Sequence, residues 1–171
     1  RLPFTWPKKL EDSPSHRLAT QDLDTVNYEE ELMVGYRYFD TQEVEPQFPF
    51  GYGLSYTTFR YGRLRVSEKN GKVRGRIEIR NTGDRDGSQT VQIYVRPERP
   101  SVTRPVHELK AFEKLFLRAG ERRTVEFTLP ARAFSYYSET EGRWVEDPGP
   151  YTIEAAASSR DIRSTAQINI K

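Results

Sequence analysis

The sequence predicts a mainly β protein, an antiparallel sandwich entered through an irregular, proline-rich arm. Two observations carry that prediction. From about Ser55 onward apolar and polar residues alternate at period two, and turn residues interrupt them every ~8–12 residues, the pattern of a sandwich of immunoglobulin or fibronectin type III style. Residues 1–55 instead hold five prolines (Pro3, Pro7, Pro14, Pro46, Pro49) and no sustained period, so most of that stretch cannot be regular helix. With 171 residues the chain is long enough for one sandwich with a remainder, and short for two full domains.

Within the arm, Tyr28, Leu32 and Tyr36 recur at helical spacing after Thr25, a candidate cap, with Glu29–Glu31 near the N-terminal end. Gly35 and the β-leaning Tyr36–Phe39 oppose a helix, so this segment reads as helix or strand. In the sandwich, Phe59–Val66 is the first strand. Asn70-Gly71 signals a tight hairpin before the next one, where Val73, Gly75, Ile77 and Ile79 face one side and Arg74, Arg76, Glu78 and Arg80 the other. Asn81-Thr82-Gly83 through Asp86-Gly87 is a turn. Val91, Ile93 and Val95 then alternate with Gln92 and Tyr94 until Pro97 ends the strand. Phe112–Leu117 stops at Ala119-Gly120-Glu121, and Val125, Phe127 and Leu129 form the following strand. Ala133–Tyr137, Tyr151–Ala157 and Ala166–Ile170 complete a set of seven or eight.

Composition excludes several functions. Aromatic residues make up 12% of the chain, which argues against disorder, and no run of ~20 apolar residues exists to span a bilayer. No Cys is present, so disulfides, thiolate catalysis and Cys-ligated metals are out. His16 and His107 have no second His or Cys at ligand spacing, so no metal or other cofactor is expected. No G-x-S-x-G accompanies them, and Gly51-Tyr52-Gly53 lacks the rest of a phosphate-binding loop. The paired acids (Glu11/Asp12, Glu29–Glu31, Glu43/Glu45, Asp84/Asp86, Glu146/Asp147) read as solvated faces. Net charge is +2 overall, yet residues 1–55 are acidic and the remainder basic. The basic residues are interspersed with acids and match no nucleic-acid motif, so no nucleic-acid partner is expected.

The run from Pro46 to Phe59 carries six large apolar or aromatic side chains between prolines and glycines. It reads as a packed hinge delivering the chain into the first strand, with Phe48, Phe50, Tyr52 and Tyr56 as candidates for interdomain packing. The alternative use for aromatics, stacking on a sugar, is weighed for Trp144, Tyr136 and Tyr137.

The runs GYRYFD (Gly35–Asp40) and EPQFPFGYGLSYTTF (Glu45–Phe59) resemble the domain junction of glycoside hydrolase family 3 enzymes, the β-glucosidases and β-xylosidases. RLPFTWPKKLEDSPS (Arg1–Ser15) is similar to the closing segment of that family's α/β-sandwich domain. NTGDRDGSQTVQIYV (Asn81–Val95), RPVHELKAFEKLFLRAGE (Arg104–Glu121) and AFSYYSETEGRWVEDPGPYTI (Ala133–Ile153) resemble its fibronectin type III-like domain.

The resemblance implies three parts: residues 1–45 from the α/β-sandwich domain, 46–56 a hinge, and 57–171 the fibronectin type III-like sandwich. It also implies a retaining β-glucosidase as parent, with β-xylosidase as the alternative activity. The family's nucleophilic Asp and acid/base Glu would lie upstream of Arg1, so no residue here is assigned a catalytic role. The chain opens Arg1-Leu2-Pro3 without Met, which fits a processed or partial polypeptide. The expected partners are upstream catalytic domains of the same polypeptide and, through them, β-glucosides or oligosaccharides. A free-standing carbohydrate-binding or scaffold sandwich is the competing reading. The compartment is open, with a secreted or periplasmic location favoured over a cytoplasmic one.

Overall fold

A computed structural model describes residues 1–16, 28–69 and 71–171. After short 3-10 turns at Leu10–Asp12 and Pro14–His16, the described arm contains one α-helix, α1 (Tyr36–Thr41). Among the described residues ten strands follow: β1 (Phe59–Tyr61), β2 (Arg65–Lys69), β3 (Lys72–Asn81), β4 (Gly87–Pro97), β5 (Glu108–Leu117), β6 (Arg122–Leu129), β7 (Ser135–Ser138), β8 (Arg143–Glu146), β9 (Gly149–Ser158) and β10 (Asp161–Ile170). One sheet runs β10-β9-β4-β5, antiparallel throughout. In the facing sheet β1 and β2 lie end to end along one edge of β3, and β6 takes its other edge.

The alternation in β3 is as expected: every second residue from Val73 to Asn81 is buried and the intervening ones are exposed. Val73, Ile77 and Ile79 meet Val91, Ile93, Val95, Leu115, Leu117 and Ile153 in one core between the sheets. Burying each such side chain stabilises the fold by about 1.5–3 kcal/mol. Gly75 stands opposite Phe127 on β6, and the Phe127 ring occupies the space a Cβ at 75 would need. The glycine lets the ring lie across the strand.

Three expectations change. Phe59–Val66 is two strands, because Gly62-Arg63-Leu64 puts three residues opposite the two between Arg76 and Ile79. This bulge turns Leu64 into the core, where it is 2% exposed, and its amide donates to Ser164 Oγ at 2.9 Å. Ala133–Tyr137 is a 3-10 turn (Ala131–Phe134) leading into β7. β7 then pairs with β8, which the period did not reveal. Finally, the alternation in β4 breaks down: Gln92 and Tyr94 are buried along with Val91, Ile93 and Val95. The outer face of that sheet is covered by the arm.

Asn81 organises the β3–β4 turn. It accepts from Thr57 Oγ1 at 2.6 Å and Gly83 N at 3.1 Å, and donates to Arg85 O and Leu117 O. A Cβ at Gly83 or Gly87 would collide with Thr57, so the N-T-G-x-x-x-G spacing makes room for that side chain. The hairpin between β2 and β3 pairs Lys69 with Lys72 around Gly71 (φ +69). Asn70 itself is outside the described residues. Tyr151 OH donates to Asp147 O at 2.7 Å, four residues back, and reaches Phe134 O at 3.1 Å, a lock of the tyrosine-corner kind.

Candidate functional site

The densest polar constellation is the seam where the arm meets the outer face of β4 and β9. It is built from α1 upward. Gly35, at φ +54, starts the helix, a backbone state that a side chain would strain. Tyr36 stacks on Phe50 at 5.0 Å and meets Tyr94 edge-on at 5.8 Å. Its hydroxyl accepts from Leu109 N at 2.8 Å, and Thr41 Oγ1 accepts from Val106 N at 2.9 Å. Helix α1 thereby satisfies one backbone amide in the approach to β5 and one at its start.

Asp40, at the end of that helix, is the hub. Its Oδ1 receives Arg160 Nε at 2.7 Å and its Oδ2 lies 3.2 Å from His107 Nε2. Arg160 also donates to Phe39 O at 2.7 Å, Val44 O at 2.8 Å and Glu45 Oε2 at 2.8 Å. One guanidinium thus caps the end of the helix and pairs with two carboxylates. The other nitrogen of His107 lies 2.8 Å from Glu154 Oε2, and the ring stacks on Tyr94 at 4.6 Å.

Burial alone would raise the Asp40 pKa, but the His107 and Arg160 hydrogen bonds outweigh it and hold the carboxyl below its usual range. For His107 burial would depress the pKa; the Asp40 and Glu154 carboxylates outweigh it and push it up. Folding therefore shifts His107 toward the imidazolium, held between two carboxylates.

A second network sits beside the first. Arg104, buried, pairs with Glu108 at 2.9 Å and Asp147 at 3.6 Å, and Arg37 of α1 reaches Glu108 at 3.6 Å. Asp147 is therefore buried, where a solvated face was expected. Beneath the arm, Tyr94 OH donates to Gln92 Oε1 at 2.6 Å and Gln92 Nε2 donates to Ala157 O at 3.0 Å. Gly51 (φ +81) lies flat on Gln92, with no room for a Cβ.

This arrangement holds a chain segment against the sheet. Both imidazole nitrogens of His107 are engaged by carboxylates, Asp40 on one side and Glu154 on the other. Among the described residues no group of three or more His, Asp or Glu side chains is arranged to hold a metal ion. No described helix is long and apolar enough to cross a membrane.

The hinge candidates fall in different places. Phe50 is half-buried on Tyr36, and its carbonyl accepts from Ser159 N at 2.9 Å. Phe48 stacks on Tyr52 at 5.0 Å in a ribbon whose partner strand is the N-terminus, bridged at Trp6 and Phe48. Arg1 ties that ribbon to Gly53 O and Gln89 Oε1. Tyr56 touches little and is 91% exposed. Within the arm, Tyr36–Phe39 is helical, whereas Tyr28 and Leu32 are exposed in turns; Thr25 lies outside the described residues. Trp144 packs its edge toward Tyr137 at 5.8 Å and carries the Arg132 guanidinium 4.2 Å over its ring. Tyr136 lies on the same hairpin, half-buried.

The motifs that resemble one family thus converge on one seam: Tyr36–Asp40, Phe50-Gly51 and Arg104–Leu109 touch each other across the sheet. A family model for the fibronectin type III-like domain matches residues 89–159. Thermostable β-glucosidase B of Acetivibrio thermocellus is 45% identical over 95% of this chain, which spans 22% of that protein. An exo-α-(1->6)-L-arabinopyranosidase of Bifidobacterium breve is 42% identical over the whole chain, which spans 23% of it. The crystal structure of a glycoside hydrolase family 3 β-glucosidase from Bifidobacterium adolescentis superposes with a TM-score of 0.94 at 40% identity, covering 98% of this chain and 25% of that one.

The chain belongs to glycoside hydrolase family 3. It corresponds to a C-terminal part that includes the fibronectin type III-like domain. It spans less than a quarter of the length of these curated relatives, multidomain enzymes in which this part is small.

Proposed function

We propose that this chain is the stabilising C-terminal module of a retaining β-glucosidase that hydrolyses terminal β-D-glucosyl residues. Residues 1–45 belong to the α/β-sandwich domain of the parent, 46–56 are the hinge, and 57–171 are the sandwich. The nucleophilic Asp and the acid/base Glu reside in the parent's catalytic domains, where two carboxyls about 5 Å apart perform double displacement. The observation that carries this reading is the uncovered apolar surface around the arm. Phe4, Trp6, Leu54, Tyr56, Phe112 and Phe116 are all exposed, a density of large side chains that marks a contact surface. Phe48 and Tyr52 brace the ribbon beneath that surface, and Phe50 anchors it to the sheet.

The pairing of this sequence with both β-glucosidase and arabinopyranosidase relatives at similar identity supports placing sugar choice outside it. The carbohydrate-binding alternative is weaker, because a guanidinium already occupies one face of Trp144. The test is reassembly. The catalytic remainder of the parent, made without these residues, is mixed with the 171-residue chain. Recovery of β-glucosidase activity or of thermal stability is the expected result. Absence of both binding and recovery overturns the proposal.

A further inference from the structure

On the side of the sandwich away from the arm, the exposed face of β1, β2, β3 and β6 is an arginine field. Arg60, Arg80 and Arg122 stand directly opposite one another across three strands. Further along β3, Arg76 lies opposite Arg65 and Glu126; beyond it Arg74 lies opposite Ser67 and Thr128. Like charges placed directly opposite destabilise a sheet. Glu78 and Glu126 are the acids on this face, and the nearest ion pair is Arg122 to Glu78 at 4.0 Å.

Among the described residues Arg60, Arg65, Arg74, Arg76 and Arg80 have no carboxylate partner. On the arm side the pattern is the reverse: Arg37, Arg96, Arg104 and Arg160 are all paired. A shallow groove of about 660 Å³ runs along the field, lined by Arg65, Arg74, Arg76, Glu126 and Thr128.

We propose that this face binds a linear polysaccharide bearing carboxylates, a uronate polymer. The guanidinium fork matches a carboxylate in two-point geometry, and rows repeating every second residue suit an extended chain. Ser67, Thr124, Thr128 and the two glutamates between the arginines offer partners for sugar hydroxyls. The outward positions carry no aromatic ring, and the one ring that lines the groove, Phe127, is packed across Gly75. The face therefore lacks the row of exposed rings that base stacking on a nucleic acid requires and an apolar anchor for insertion into a bilayer. The face is remote from the arm, so its behaviour is independent of the activity proposed for the parent.

The test is affinity electrophoresis of the 171-residue chain in gels containing polygalacturonate, its methyl ester, single-stranded DNA or phosphatidylserine vesicles. Polygalacturonate is expected to retard the chain, and salt or esterification to abolish the effect. The Arg76→Gln/Arg80→Gln variant is expected to bind about tenfold more weakly, the scale of one lost charge-assisted contact. Its melting temperature should be unchanged or higher, because a like-charge opposition has been removed. Arg143→Gln, which removes a charge from the β7–β8 hairpin, should bind like the unsubstituted chain. No retardation, equal binding of the double variant, or stronger binding to the ester, DNA or vesicles each overturns the proposal. So does loss of binding that is accompanied by a lowered melting temperature.

Discussion

Arg160 Nε donates to Asp40 Oδ1 at 2.7 Å across 120 residues of chain, and the same guanidinium closes the end of α1 through Phe39 O and Val44 O. This one side chain fastens the arm to the turn between β9 and β10. Arg160→Ala should cost about 2 kcal/mol, since it leaves a buried carboxylate and two carbonyls without their donor. Arg160→Lys should recover only a small part, because an ammonium cannot serve all four acceptors. Urea unfolding measures the total, and amide exchange at residues 36–45 should accelerate first. Equal stability of the lysine variant and the unsubstituted chain would count against the fork.

His107 makes the seam pH-dependent. Its pKa is raised on folding, so its contribution is full below its unfolded value of about 6.5 and is lost as pH rises through the folded value. Asp40 is lowered from 3.8, so its contribution is full above that value and is lost as pH falls through the folded one. The cluster should therefore stabilise the fold most between about pH 4 and 6.5. The stability gap between a His107→Gln variant and the unsubstituted chain should narrow as the pH is raised above about 6.5. A gap that stays constant over that range would show that the imidazole charge plays no part.

Gly75 and Phe127 form a complementary pair. Gly75→Ala should destabilise the sandwich by about 1–3 kcal/mol through overpacking. Phe127→Leu in the same chain should relieve much of that loss, a non-additivity readable in a double-mutant cycle. Purely additive effects would mean that the ring does not lie across the glycine.

Asn81→Ala should cost about 2–4 kcal/mol, because Thr57, Gly83, Arg85 and Leu117 all lose a partner in a buried site. Asn81→Asp should be nearly as severe, since a carboxylate cannot donate to the carbonyls of Arg85 and Leu117. Thermal unfolding checks both; an Asn81→Asp variant as stable as the unsubstituted chain would refute the donor role.

The strand period was legible wherever one face of a strand meets water. β3 follows it residue by residue and β6 does so from Thr124 to Leu129, and Pro97 ends β4 as its missing amide requires. The spacing of glycines in the β3–β4 turn could be noted, yet its cause, the Thr57 side chain, is 24 residues from Asn81 and local pattern does not point to it. His107 stood out as one of two histidines. The two carboxylates that define it come from positions 40 and 154, so no spacing rule could bring the three together. α1 was obscured because its aromatic residues favour strands in isolation; contacts with Phe50, Tyr94 and the amides of Val106 and Leu109 override that preference.

The sequence by itself determined the sandwich, most of its strands and the family resemblance. All of these rest on local alternation, turn chemistry and contiguous motifs. Only the tertiary structure decided that β4 and β9 are buried on both faces, that Asp40, His107, Glu154 and Arg160 form one cluster, and that the unpaired arginines share one side. Each of those depends on which segments meet across long stretches of chain, and a periodic pattern records the face a strand presents without naming what covers it.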